Sequence, residues 1–370
     1  MTSQSFNVRH ILIIFTLSTG LTNHVIIIPL LLNASARDAW LAILLSIIPV
    51  ILWLVVLLVV IKKLGQEKLF DWLKNKYGNI VAIIVMAPFL IYIAFNFYIT
   101  FRDTVMWIDL SYLLYTPNTI VAFVFLILIF LVAKSGLKPL IMSGVVVLPF
   151  VVIFGFFVAG GNMPEKDHSL LFPIVEHGWN PILHGMIYVT GGLAEMIMLL
   201  LVQHKVKGQI RFFHLVILSL ILIGLTLGPT IGAITEFGPA EAMKQRYPAF
   251  EQWRLLTLGE YVDHLDVLSF YQWMSGAFIR LSFLLFLLGD IFLQEKSRHR
   301  TKVIAGIALI FIISTYFPIS DPMFLNLLMN WFYPIVIGFV LLFTLVLLLL
   351  CQFASKKKRG SANENHEQTL

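Results

Sequence analysis

The sequence predicts an all-α polytopic membrane protein of ten transmembrane helices. Its composition is the first reason: 59% of the 370 residues are hydrophobic and only 12% are charged, against about 25% charged in an ordinary soluble domain. With 31 Phe, 8 Trp and a mean hydropathy of +0.90, the chain carries more apolar surface than a water-exposed domain can bury, so lipid is its main solvent. Runs of the length that crosses a hydrocarbon core recur along the chain, and Lys and Arg alternate between two sides of those runs.

The first run, residues 10–32, is too long for a cleavable leader, contains Pro29 and leads directly into a second span at 40–61. Between the second and third runs lies Gln66–Tyr77, where Leu69, Trp72 and Leu73 share one side and Lys68, Asp71 and Lys74 lie elsewhere. This segment reads as a short amphipathic helix at the interface. The remaining spans fall at 80–101, 117–133, 139–159, 181–203, 212–233, 264–292, 303–318 and 328–352. The loop Glu236–Val262 holds Tyr247, Phe250, Trp253, Leu255 and Leu258, too apolar for a free linker, and is expected to fold against the bundle. After Phe353 the composition turns basic and then polar. The expected division is a permease-like transmembrane domain over 1–352 and a disordered cytoplasmic tail over 353–370.

Orientation follows from charge. Of the 26 Lys and Arg residues, 19 fall on the side of the N-terminus, among them Lys205 and Lys296, and 6 on the other, among them Arg246. Arg280 lies inside a span. The bias puts both termini in the cytoplasm and supports an even number of spans. It also accounts for a net charge of +6 through membrane orientation, and nucleic acid is not an expected partner.

A solute site at mid-membrane needs polar groups, and backbone released from a helix is one source. In span one, Ser18-Thr19-Gly20-Leu21-Thr22-Asn23 sets small polar residues in an apolar run. In span six, Thr190-Gly191-Gly192-Leu193-Ala194-Glu195 does the same. First and sixth of ten are the matching positions of a five-plus-five repeat with opposite topology in its halves. Close helix packing is the competing reading of these glycines. Candidate ligand-binding residues are therefore Thr19, Gly20, Leu21, Thr22, Asn96, Gly191, Gly192 and Glu195. An ionisable residue at mid-membrane marks a solute path or a structural pair, so Glu195 could meet a ligand ammonium, carry a proton or neutralise Arg280. Arg280 and Asp266, both in span eight, are assigned structural or gating roles. Tyr92 and Asn96, four residues apart, share a face of span three.

Other chemistry finds little support. Cys351 is the one cysteine, which excludes a disulfide framework and cysteine metal clusters. Asp263, His264 and Asp266 match no metal-ligand spacing, and no catalytic or phosphate-binding motif is present. The sequence thus predicts no enzyme, no metal and no cofactor.

The stretch FGPAEAMKQRYPAFEQWRLLTLGEYVDHLDVLSFYQWMSGAFIRLS, Phe237 to Ser282, closely resembles the corresponding loop and eighth span of spore germination receptor B subunits, the endospore germination permease family. Arg246-Tyr247-Pro248, Phe250-Glu251, Trp253-Arg254, His264-Leu265-Asp266 and Gln272-Trp273 carry the resemblance. It implies a LeuT-like fold of the amino acid–polyamine–organocation superfamily, with helices one and six broken. It also implies a nutrient-sensing subunit, binding a small nutrient such as an amino acid, beside A and lipoprotein C subunits and membrane lipid in the spore inner membrane. A proton-coupled amino acid transporter is the alternative, although span five lacks the lysine that some proton-coupled relatives of the superfamily carry.

Overall fold

The computed structural model describes residues 6–257, 264–293, 297–317 and 319–367, with side chains through Ala354. Asp263, Leu258 and Lys296 therefore lie outside the described residues. Among these residues, eight helical runs are long and apolar enough to cross a membrane: Val8–Leu64, Asn79–Ser111, Asn118–Ser135, Leu137–Gly161, Trp179–Lys205, Phe212–Phe237, Val267–Asp290 and Asp321–Ala354.

The first run is composite. It consists of α1 (Val8–Leu21), a π-helical turn (Thr22–Ile26), α2 (Ile27–Ser35), α3 (Ala39–Leu45) and α4 (Ile47–Leu64). At Ala36 the backbone leaves the helical region, with φ 46° and ψ −124°, which ends α2. The amphipathic helix α5 (Leu69–Tyr77) buries Leu69, Trp72 and Leu73 and leaves Lys74 and Lys76 exposed. Gly78, at φ 89°, then turns the chain into α6 (Asn79–Ser111). Helix α6 runs ten residues past the end expected at 101. Arg102 and Asp103 stop the hydropathic run, but both charges are ion-paired, and Val105, Trp107 and Ile108 bury the extension.

Next come α7 (Asn118–Ser135), α8 (Leu137–Gly161) and α9 (Trp179–Leu193). A 3-10 turn, Ala194–Met198, separates α9 from the short α10 (Leu199–Val202), and α11 spans Phe212–Phe237. The expected packing of the loop after α11 is met. It forms α12 (Pro239–Ala242) and α13 (Pro248–Leu255), and Tyr247, Phe250 and Trp253 are buried. The chain finishes with α14 (Val267–Asp290), α15 (Arg298–Ser314), α16 (Asp321–Leu327), a second π turn (Leu328–Phe332) and α17 (Tyr333–Glu367). The division at residue 353 rests on composition alone.

The two π turns have one cause. A proline ring collides with the carbonyl four residues earlier and supplies no N–H, so the turn before it widens. Pro29 addresses Val25 inside Thr22–Ile26, and Pro334 addresses Asn330 inside Leu328–Phe332. Spans one and six therefore depart from α geometry where expected, but as a wide turn and a tight turn. Neither is an unwound gap, because the helical bonding continues in altered form.

At the end holding the N-terminus, a two-residue strand Phe6–Asn7 pairs in parallel with Val206–Lys207. Gln203 Nε2 donates to the Glu67 carbonyl at 2.7 Å, Lys205 meets Asp290 at 3.4 Å, and Lys68 Nζ donates to the Leu293 carbonyl at 3.0 Å. Burial lowers the Lys68 pKa, an effect that Asp290 partly offsets. Helix α14 is the central post, packed on α1, α6, α7 and α8.

Candidate functional site

The polar residues of five elements meet in the middle of the bundle. Arg280, on α14, is 1% exposed, and Glu195, in the 3-10 turn after α9, is 2% exposed. Their contact is bidentate: Nη1 to Oε2 is 2.6 Å and Nη2 to Oε1 is 2.7 Å. A guanidinium has five N–H donors, and here each has an acceptor. Nε donates to Thr100 Oγ1 at 2.7 Å, Nη1 also donates to the Ser18 carbonyl at 3.0 Å, and Nη2 also donates to Asn96 Oδ1 at 3.1 Å. Thr22 Oγ1 donates to Glu195 Oε1 at 3.1 Å. One ion pair thus ties α1, its π turn, α6, the turn after α9 and α14 together.

Local structure explains each placement. The π turn carries Thr22 and Asn23, and Asn23 Nδ2 donates to the Thr19 carbonyl at 2.8 Å, leaving Asn23 Oδ1 buried and without a partner among the described residues. On α6, Asn96 Nδ2 donates to the Tyr92 carbonyl at 2.9 Å and Thr100 Oγ1 to the Asn96 carbonyl at 2.9 Å, an i to i−4 ladder. That ladder fixes Asn96 Oδ1 and Thr100 Oγ1 toward Arg280. A Cβ on Gly192 would overlap Ile27 Cδ1 and stand 2.9 Å from Asn23 Oδ1, and one on Gly191 would stand 2.7 Å from the Tyr333 ring. These two glycines are what let α9 approach the π turn and α17.

Of the expected ligand-binding residues, Thr22, Asn96 and Glu195 converge on Arg280, while Gly191 and Gly192 set helix approach beside them. Thr19 contributes its carbonyl to Asn23. Gly20 and Leu21 pack elsewhere, because a Cβ on Gly20 would meet Leu225 of α11 at 3.0 Å and Leu21 lies against Gly276. Asp266 does not join Arg280. Fourteen residues along α14 place it about 21 Å away, and its carbonyl accepts from Tyr112 at 2.9 Å. The Ser18 carbonyl, Thr100 as an acceptor and Tyr333 were not singled out in the sequence. Only the requirement that a buried arginine find five acceptors points to the first two.

A second charged centre lies at the end of the bundle opposite the N-terminus. Arg246, between α12 and α13, donates through Nη2 to Asp103 and through Nε to Asp321 Oδ2 at 2.8 Å. Arg102 Nη1 meets Asp321 Oδ1 at 2.9 Å, Arg102 Nη2 donates to the Ile319 carbonyl at 2.8 Å, and its guanidinium lies 3.9 Å over the Phe324 ring. Burial alone disfavours the charged Arg246, but the nearby Asp103 and Asp321 outweigh it and raise its pKa. Burial, with Asp103 adding to it, pushes the Tyr247 hydroxyl pKa well up. Among the described residues, no group of three or more His, Cys, Asp or Glu is placed to hold a metal ion.

Residues 5–322 match a family model described as spore germination protein, the spore permease family. The chain is 39% identical over 343 residues to spore germination protein XB of Bacillus anthracis, covering 93% of this chain and 96% of that protein. It is 24% identical over 295 residues to the putative spore germination protein YfkT of Bacillus subtilis (strain 168), covering 76% and 78%. The family match over most of the chain and the extent of the first similarity show that this chain belongs to the spore germination permease family.

Proposed function

We propose that the chain is the nutrient-sensing subunit of a spore germination receptor and that its ligand is a zwitterionic amino acid held at the Glu195–Arg280 centre. The observation that carries this reading is the bidentate, fully donor-satisfied pair buried between α1, α6, α9 and α14. A zwitterion brings the same two charges, so its carboxylate can replace Glu195 on the Arg280 fork while its ammonium takes Glu195. Asn23 Oδ1, which lacks a partner among the described residues, is a further acceptor for that ammonium. The helical bonding continues through Gly20 to Asn23, so recognition of the ligand carboxylate falls to Arg280.

The reading extends to a ten-span, five-plus-five repeat. Dividing Val8–Leu64 at Ala36 and adding the 17-residue α15 brings eight spans to ten. The matched departures from α geometry at Thr22–Ile26 and Ala194–Met198 support a repeat, and the Thr22–Glu195 hydrogen bond joins them. The charge bias supports cytoplasmic termini. The membrane is the spore inner membrane, and the partners are A and C subunits, which read a ligand-driven shift between conformers of the bundle.

The test is a thermal-shift screen of the purified protein against an amino-acid panel, with proteoliposome uptake in parallel. A midpoint raised by one or a few amino acids supports sensing. Uptake driven by a pH gradient would instead establish the transporter reading, and no shift with any nutrient would leave the subunit architectural.

A further inference from the structure

Arg246 bridges the two helical runs that wall the central pair. Asp103 stands on α6 three residues beyond Thr100, which accepts from Arg280. Asp321 opens the run that carries Tyr333, the ring packed on Gly191. A single loop side chain therefore holds both walls from the end of the bundle opposite the N-terminus.

Beneath the loop, polar and aromatic groups lead toward Arg280. Tyr92, Asn96, Thr100, Asp103 and Trp107 follow at intervals of four, four, three and four residues and are all buried, so they form a stripe along one face of α6. On α14, Trp273, Ala277 and Arg280 recur at helical spacing and are buried. The Trp107 and Trp273 rings stack at 4.1 Å between centroids, and Tyr247 meets Trp273 edge-on at 5.1 Å. Asp103 Oδ2, Trp107 Nε1 and the Tyr247 hydroxyl are buried and have no hydrogen-bond partner among the described residues. Buried polar atoms nearly always have one. Three unfilled atoms under one loop mark a place where a polar guest completes the bonding.

We propose that Arg246 is the latch of a polar access route along the α6 stripe, closed in this conformation, through which a zwitterionic ligand reaches Glu195 and Arg280. The ligand's carboxylate competes with Asp321 for the Arg246 fork, and its ammonium finds Asp103 Oδ2. Release of Arg246 removes the ionic ties from the loop to α6 and to the Asp321–Ala354 run. The ligand class rests on the proposed function; the route itself does not.

The experiment uses the full chain in proteoliposomes, with Cys351→Ser and one introduced cysteine, Ala277→Cys, which lies between Trp273 and Arg280. A charged, membrane-impermeant methanethiosulfonate is applied to each side in turn. Slow labelling is expected with Arg246 intact, and Arg246→Gln or Asp103→Asn should speed labelling at least tenfold from the Arg246 side alone. Arg246→Lys should fall between. Ser269→Cys, two turns nearer the loop, serves if Ala277→Cys does not fold. An unchanged rate in Arg246→Gln overturns the latch. So does an equal rise at a control cysteine replacing buried Ser219 of α11, because that reports general loosening. An amino-acid panel that leaves the labelling rate untouched counts against the ligand class, while a tenfold change from Arg246→Gln still establishes the latch.

Discussion

The two charged centres of this bundle are built on opposite terms. At mid-bundle, one arginine and one glutamate are fully enclosed, and all five guanidinium donors have acceptors. At the loop end, two arginines and two aspartates share bonds at the edge of the bundle, with side-chain exposures of 18% for Arg246 and 22% for Asp321 but only 2% for Asp103. That centre leaves Asp103 Oδ2 without a hydrogen-bond partner among the described residues. A closed pair in a low-dielectric interior gives a steep response to loss of either member, whereas a network with two arginines and partly exposed members keeps part of its bonding when one member is lost. Position in the bundle decides which kind of work each centre can do.

The comparison breaks most sharply at Arg280. Arg280→Met leaves Glu195 buried without its counter-ion, with only the Thr22 hydroxyl donating to it, and should destabilise the protein by about 3–5 kcal/mol, read as a large fall in thermal midpoint in detergent. Arg246→Gln at the loop end strips the buried Asp103 of its partner but leaves Asp321 on Arg102, and should cost less, about 1–3 kcal/mol. Equal losses at the two sites would erase the distinction. Next in size is Gly192→Leu, whose side chain overlaps Ile27 and Asn23. Overpacking there should cost roughly 1–3 kcal/mol, and a spore carrying it should insert the protein yet lose its nutrient dose–response.

Glu195→Gln keeps size and one acceptor. The change leaves the Arg280 charge buried without a counter-ion, so the thermal midpoint should fall, and loss of a charge-assisted bond worth about 1.5–3 kcal/mol should lower nutrient sensitivity by roughly tenfold or more. The smallest effect is expected at Gly20→Ala, where the added methyl meets only the flexible end of Leu225 at 3.0 Å and Leu222 at 3.9 Å. A near-normal response there would separate the packing glycine of span one from the approach glycines of span six.

Particular residues show how much of this was legible in the sequence. Spans were readable because hydropathy and length act locally. The amphipathic helix at Leu69–Tyr77 and the folded loop around Tyr247 and Trp253 were readable for the same reason. The π turns were encoded by Pro29 and Pro334, yet a proline can also kink or end a helix, and tertiary packing makes the choice. Glu195 and Arg280 stand out as charges inside apolar runs. Their mutual contact depends on two elements 85 residues apart, which no local rule delivers. Gly20 and Gly192 look alike in sequence, and only the neighbours supplied by α11 and α2 distinguish them.

The most direct test of the central claim is ligand binding by the double variant Glu195→Gln, Arg280→Gln. With both charges removed, no uncompensated ion remains, so stability should return toward wild type relative to Arg280→Met. If the pair is the ligand site, the amino-acid-dependent rise in thermal midpoint should vanish from this folded double variant. A double variant that keeps the wild-type shift would contradict the account, because nutrient would then be held elsewhere and the pair would serve the bundle alone.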